Sequence, residues 1–227
     1  MKLRLNSFLY LALLLQTCAL IFVNAAEPTL KVTDKEPPKE LAAAIREKMQ
    51  SKVIQLLDGS NPVFEFWFVS ELPLQSKPES IAKGLDAIKQ TTLLGAVSLP
   101  KSQRDYRDDE IAAGVYTMRF GLQPSDGNHL GTAEFPYFAV LIPAKLDSSP
   151  VAITDYKKMV KTSSKETSSD HPIILSLRPA SSDQGELPKL NAPAPDHKSV
   201  RVKVPANANS EKNTIVFEVV YQGMGKK

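Results

Sequence analysis

The chain has 227 residues, a formal net charge of +3 and a single cysteine, Cys18. Removal of an N-terminal signal peptide would leave about 202 residues, which is enough for one domain with its own core. That remainder contains no cysteine, which excludes disulfides, thiolate zinc sites and thiol catalysis, and its near-neutral charge excludes a strongly basic nucleic-acid binder.

The N-terminal segment has the organisation of a secretory signal peptide. Two basic residues precede an apolar run over residues 9–23, and small residues follow it. The run is short for a membrane span, and polar, proline-bearing sequence follows at once. We expect cleavage after Ala25 or Ala26 and export to the periplasm or the extracellular space, with no integral membrane segment in the mature chain. An uncleaved anchor and lipidation at Cys18 are the alternatives.

After the signal peptide over residues 1–25, we expect an extended lead-in over residues 26–38 and a single domain over residues 39–227. Apolar residues recur at four-residue spacing between Leu41 and Val53, and this spacing predicts a helix that begins near Pro38. The apolar stripe of this helix is expected to dock on the core.

Residues 53–57 either continue this helix or form a strand that pairs with residues 63–69. The hairpin is favoured, because Asp58-Gly59 is a turn dipeptide and residues 53 and 54 are β-branched. The second strand is apolar on both faces, which is typical of a strand buried between layers. A carbohydrate-binding module in which Trp67 stacks on a sugar is an alternative, but core packing of Trp67 is favoured.

The clearest strand covers residues 115–122. One face carries Tyr116, Met118, Phe120 and Leu122, and the other carries Val115, Thr117 and Arg119. The alternation predicts that the first face is buried and that the second is wetter.

Further strands are predicted at residues 93–99, 135–142, 173–178, 200–204 and 215–221. Pro136 cannot donate to a ladder, so the second of these begins at or after it. Short helices are predicted near residues 81–88 and 149–160. The polar stretch over residues 161–170 and the proline-rich stretch over residues 179–198, with an exposed His197, are expected to be mobile or extended. These elements predict a mainly β fold, an antiparallel β-sandwich of about eight strands with two or three short peripheral helices.

The usual catalytic signatures are absent from the sequence, so enzymatic activity is not expected. Two loops beside the clearest strand carry candidate ligand-binding residues. The first loop, over residues 105–110, places four carboxylates around Tyr106 and Arg107. Clustered carboxylates suit Ca²⁺, but the spacing lacks the alternation of an EF-hand. A solvated loop with an internal arginine–carboxylate pair is therefore favoured.

The second loop, over residues 124–131, contains Asp126, Asn128 and His129. A ligand or metal site on these residues is one interpretation, and a hairpin loop whose polar side chains cap the backbone is the other. His171, at the start of a later strand, is a candidate third ligand for zinc or iron. The strand between the two loops would separate their bases by roughly 25 Å, so we expect them at opposite ends of the fold unless one loop folds back along the sheet.

The same region resembles a group of exported bacterial proteins that have no assigned activity. The likeness rests on the pattern Asp-Tyr-Arg, Gly-x-Tyr-Thr-x-Arg and Gln-Pro-x-Asp-Gly-x-His-x-Gly, which falls here at residues 105–107, 114–119 and 123–131. The resemblance implies an exported β-rich domain and no particular reaction. It draws attention to Tyr106, Arg107, Asp126 and His129.

The sequence therefore favours a non-catalytic exported binding or structural module whose partner is an envelope protein or a small ligand. Its candidate ligand-binding residues are Tyr106, Arg107, Asp126, Asn128 and His129. One alternative is a metal-binding protein or metalloenzyme that uses His129 and Asp126, with His171 as a further ligand. The carbohydrate-binding module is the other. The sequence identifies no cofactor.

Overall fold

The computed structural model describes residues 28–124, 132–166, 171–194, 196–223 and 225. Strands account for 49% of the fold and helices for 12%, so the prediction of a mainly β protein is confirmed. None of the helices in the described part of the chain has the length and apolar character needed to span a bilayer.

Thirteen strands follow one another along the described chain. They are β1 (Thr29–Asp34), β2 (Lys52–Asp58), β3 (Asn61–Phe68), β4 (Leu72–Pro73), β5 (Leu93–Leu99), β6 (Gln103–Arg104), β7 (Glu110–Ile111), β8 (Gly114–Leu122), β9 (Tyr137–Pro143), β10 (Ile173–Pro179), β11 (Lys189–Ala194), β12 (His197–Ala208) and β13 (Glu211–Gln222). The α-helices are α1 (Ala43–Arg46) and α2 (Tyr156–Ser163), and 3-10 turns occur at Ile81–Lys83, Leu85–Ala87, Ala144–Leu146 and Ser164–Glu166.

Ten of these strands form one continuous sheet in the order β1-β2-β3-β5-β8-β9-β10-β13-β12-β11. Neighbours in this path are antiparallel, whereas β4 adds to β12 in parallel and β6 pairs only with β7. Phe68 ends β3 and Leu72 begins β4 on the far side of the path, with three residues between them. The four Cα–Cα steps from Phe68 to Leu72 span at most about 14 Å, so the two halves of the sheet lie close together. The sheet is therefore strongly curled.

The hydrophobic core lies inside this curl, where the two halves face each other. The Phe68 and Phe217 rings, on β3 and β13, meet edge to face with 5.8 Å between their centroids, and Phe64 and Tyr221 are 6.0 Å apart. The predicted sandwich of two separate antiparallel sheets is not confirmed, because a single sheet supplies both walls of the core. Strand order depends on long-range pairing, which the periodicity of a single strand does not encode.

The hairpin that was favoured for residues 53–69 is present. β2 and β3 pair up to Asp58 and Asn61, and Gly59 takes the turn with a positive φ of 59°. The predicted helix, in contrast, is limited to the single turn α1. Met49 instead makes an isolated bridge with Val69. The four-residue spacing of apolar residues reflects burial of this segment against the core and not a continuous helix.

The prediction for β8 is correct for one face and wrong for the other. Met118 and Phe120 are buried in the core, although Leu122 is 36% exposed. Thr117 and Arg119, assigned to a wetter face, are completely buried. The chain between β9 and α2 covers this face, and Asp147 in that segment pairs with both side chains. Polar residues on this face therefore point to a buried partner and not to solvent.

Several later predictions are confirmed in outline. β9 begins just after Pro136, and the predicted helix near residues 81–88 is a pair of 3-10 turns. The proline-rich stretch is extended over Lys189–Ala194, where it forms the edge strand β11, which is one of the two outcomes expected for it. Trp67 is fully buried, and its indole N–H donates to the Lys35 carbonyl at 2.9 Å. The proposed sugar platform on Trp67 is therefore wrong.

Replacement of Phe120 by aspartate tests the inward face of β8. Phe120 is 1% exposed, so Phe120→Asp should lower the free energy of unfolding by at least about 3 kcal/mol or prevent folding. Leu122→Asp, two residues further on the same strand face, should cost much less. Chemical denaturation of both variants measures the difference, and equal stability of the two would show that β8 is oriented differently.

Candidate functional site

The Asp105–Tyr106 turn occupies a split in the sheet between β10 and the residues that follow β13. The Tyr106 N–H donates to the Ile174 carbonyl of β10 at 3.2 Å, and the Gly225 N–H donates to the Tyr106 carbonyl at 2.8 Å. The backbone of Tyr106 therefore bridges the two sides of the split as a short inserted strand would. A segment distant in sequence thereby completes the hydrogen bonding of the sheet.

Asp105 fixes this turn from inside the protein. One carboxylate oxygen accepts the N–H groups of Arg107 at 2.7 Å and Asp109 at 3.0 Å, and the other accepts the Ile174 N–H at 3.2 Å. Burial raises the pKa of Asp105 from its ordinary value of 3.8 to about 6, although the three N–H donors act in the opposite direction. The carboxyl group thus holds the turn to β10 and titrates close to neutral pH.

The Tyr106 side chain lies on the outer face of the sheet, where it is 8% exposed. Its ring packs against Phe138 and Val220. The phenolic hydroxyl lies 3.4 Å from Nε2 of His197, and Nδ1 of His197 lies 2.8 Å from the Asp196 carboxylate. If Asp196 accepts the Nδ1–H, then Nε2 of the neutral imidazole accepts from the phenol. The result is a hydrogen-bonded chain from an exposed carboxylate to a buried tyrosine.

Charged residues surround this chain. The Arg178 guanidinium pairs with Glu134 and lies 5.0 Å from the centroid of the Phe135 ring. Burial raises the pKa of Tyr106, whereas the nearby Arg178 cation lowers it. Because burial has the larger effect, the phenol stays protonated at neutral pH. The cluster therefore offers hydrogen-bond donors and acceptors but no activated tyrosinate nucleophile.

The structure places only some of the predicted site residues. Tyr106 is in the cluster described above, and the Arg107 side chain pairs with Asp109 at 3.8 Å at the surface. His171 is exposed at the start of β10. Asp126, Asn128 and His129 lie outside the described residues, so the ligand or metal site on them stays a prediction. Within the described ranges, no group of three or more His, Cys, Asp or Glu side chains could hold a metal ion.

The predicted separation of the two loops does not hold for the described residues. Tyr106 packs on Phe138, which pairs with Gly121 near the end of β8, and not with the start of that strand. Gly225 lies against both Tyr106 and Thr132, and Thr132 is at the base of the second loop. The first loop folds back across the outer face of the sheet because its backbone completes the hydrogen bonds of Ile174.

His197 is not exposed, contrary to the prediction from the sequence. Its side chain is 14% exposed and contacts Tyr106. No local pattern distinguishes it, since the contact joins residues 91 positions apart.

A second polar cluster lies beneath the segment that follows β9. Nε and Nη2 of Arg119 donate to the two carboxylate oxygens of Asp147 at 2.7 and 2.8 Å. Nη1 donates to the carbonyls of Thr91 and Val151 at 3.0 Å each, and Nη2 also donates to the Ser149 carbonyl. The Thr117 hydroxyl donates to Asp147 at 2.6 Å. Every N–H group of the guanidinium therefore donates either to the Asp147 carboxylate or to a backbone carbonyl. These bonds anchor the segment between β9 and α2, which covers this face of the sheet.

Comparison of the chain with protein-family models, curated proteins and solved structures gave no match. The structure itself defines the chain as a mainly β protein with one curled sheet. Segments held by polar contacts cover parts of the outer face of this sheet.

Removal of Asp147 should leave the Arg119 cation buried without its partner. Asp147→Ala is expected to lower the free energy of unfolding by about 3–5 kcal/mol, whereas Glu211→Ala, which breaks an exposed pair with Lys77, should cost less than about 1 kcal/mol. The double variant Arg119→Met with Asp147→Ala should be more stable than Asp147→Ala alone. Denaturant titrations test this order, and an additive double variant would contradict the pairing.

Asp105→Asn should change how stability depends on pH. The folded-state pKa of Asp105 is raised, so its contribution to stability is present below about pH 3.8 and is lost as the pH rises through about 6. Asparagine loses the Ile174 hydrogen bond at every pH but does not ionise. From pH 4 to pH 7 the variant should therefore gain about 2 kcal/mol relative to the parent, because each unit of difference between the folded-state and unfolded-state pKa corresponds to 1.36 kcal/mol. A constant difference across this range would contradict the assignment.

Proposed function

We propose that the protein is an exported binding or structural module that acts without catalysing a reaction, with an envelope protein or a small ligand as its partner. The sequence supports export through its signal-type N-terminus. The absence of catalytic signatures in the sequence favours a binding role.

One observation carries the non-catalytic part of the proposal. Four buried carboxylates lie in the sheet or against it, and each of their eight oxygens accepts a hydrogen bond from the protein. They belong to Glu65, Asp105, Asp147 and Glu218. Among the described residues, no buried side-chain nitrogen or oxygen lacks a partner. Catalytic acids and bases need an atom that faces the substrate, and these groups present none.

The partners show what these carboxylates do instead. Glu65 accepts from Lys35 at 2.7 Å and from Gln55 at 2.6 Å, which ties the chain after β1 to β3. Glu218 accepts from Arg201 at 2.7 Å and from Asn191 at 2.6 Å, which ties β11 to the sheet. Such contacts fix surface segments on a rigid frame, and a rigid frame suits recognition by the segments it carries.

An activity screen tests the proposal directly. The chain from residue 26 onward, purified and confirmed as folded, should show no turnover of ester, phosphoester, peptide or glycoside substrates above buffer. Tyr106→Phe and His197→Ala serve as matched variants of the only acid–base chain described above. Turnover by the parent that disappears in His197→Ala would overturn the proposal.

Export and metal content are tested on the same protein. N-terminal sequencing of the form recovered from the cell envelope or medium should begin at Ala26 or Glu27, and a chain that retains Met1 would contradict export with cleavage. Elemental analysis of protein purified without chelator or histidine tag should find no stoichiometric metal. Stoichiometric metal that disappears in His129→Ala would favour the metal-binding alternative.

A further inference from the structure

The split between β10 and β13 has a second end, which no strand of the described chain occupies. β13 pairs with β12 along almost its whole length, from Glu211 to Gln222. Its pairing with β10 is limited to three positions, Phe217 to Val219. At one end of the split the backbone of Tyr106 is inserted. At the other end, residues 211–216 of β13 have no strand partner on this side within the described chain.

The alternation of hydrogen bonds shows which backbone groups face this open end. Both the N–H and the carbonyl of Ile174 are directed away from β9 toward the split. In an antiparallel ladder every second residue faces the same side, so Arg178 faces β13 and its partner Glu218 faces β10. By the same alternation, the N–H and carbonyl groups of Lys212, Thr214 and Val216 are directed into the open end.

The pairing with β12 agrees with this assignment. Thr214 lies opposite Pro205, which has no N–H to donate. A proline is tolerated at this position because the pair is one that does not exchange hydrogen bonds. Asn213 and Ile215 are then the residues whose backbone groups bond to β12.

A groove of about 490 Å³ lies along this free edge. Residues 212–216 of β13 form one wall, and Pro78, Ser80, Ile81 and Gly84 form the opposite wall, with Asp183 at the rim. Ile81 is 38% exposed, so the groove combines an apolar contact with the unpaired backbone of β13. This volume is within the range of about 300–1,000 Å³ that is usual for ligand sites.

We propose that this groove binds an extended peptide segment of a partner protein, which adds a strand to β13 beside Lys212, Thr214 and Val216. The filled end of the same split supports an extended backbone as the occupant, because there the backbone of Tyr106 makes the equivalent bridge. The peptide would place alternate apolar side chains toward Ile81. This inference rests on the proposed binding function and specifies its partner class.

Amide hydrogen exchange measured by NMR tests the free edge first. In the parent, the amides of Lys212 and Thr214 should exchange faster than those of Asn213 and Ile215, which bond to β12. The probe is a pool of acetylated hexapeptides that alternate valine or isoleucine with threonine or lysine. Addition of the pool should slow exchange of the Thr214 and Val216 amides roughly tenfold, equivalent to about 1.4 kcal/mol. Exchange protection that is uniform before addition, or unchanged by it, would overturn the proposal.

Two variants separate binding in the groove from binding elsewhere. Thr214→Pro removes one N–H from the groove without removing a bond to β12, and Ile81→Arg fills the groove from its opposite wall. Both should abolish the protection, whereas Lys203→Ala, an exposed position on β12, should keep it. Protection that persists in Ile81→Arg would place the peptide elsewhere and overturn the groove site.

The outcomes also separate this inference from the proposed function. Protection of the groove that rises with protein concentration in the absence of peptide would identify a second copy of this chain as the occupant and would overturn the peptide assignment. If the peptides do not bind in the groove, the result expected from the activity screen does not change. Turnover that requires His197, in contrast, would overturn the proposed function whether or not the peptides bind.

Discussion

The buried cation of Arg119 is the constraint on which the arrangement of this protein depends most. A guanidinium inside a sheet costs several kcal/mol unless it is paired and hydrogen-bonded. Asp147 and three backbone carbonyls meet this requirement. Asp147, Ser149 and Val151 belong to the covering segment between β9 and α2, so their bonds to Arg119 hold that segment at one place on the sheet. β8 is therefore buried on both faces, although its sequence alternates between apolar and polar residues.

The same principle recurs around the outside of the curl. Glu65, Asp105 and Glu218 each accept hydrogen bonds that hold another segment of the chain on the surface of the sheet. On the inner face, nondirectional apolar packing stabilises the core. On the outer face, directional hydrogen bonds and ion pairs fix the positions of the segments that cover the sheet. This division explains how a single sheet without disulfides in its described part keeps its loops in fixed places.

Local features of the fold could be predicted from the sequence, but the contacts between distant residues could not. The β2–β3 hairpin, the inward face at Met118 and Phe120 and the start of β9 all follow from turn chemistry, alternation and the restriction at Pro136. A sandwich requires the strands to divide between two sheets. Which strands pair depends on contacts between residues distant in sequence, so this division could not be predicted. Arg119 was assigned to a wetter face because alternation alone does not distinguish water from a buried carboxylate 28 residues later. Tyr106 was singled out for its neighbours in sequence, yet its place is set by Ile174 and His197.

The position of β13 within the sheet has a consequence for how the chain reaches its fold. This strand is the last of the thirteen in sequence, but it lies in the interior of the path, between β10 and β12. In the described chain, β12 and β11 are joined to the path from β1 to β10 only through β13, so this connection cannot form until β13 has been synthesised. Late closure of this kind, with many contacts between distant residues, is associated with slow folding.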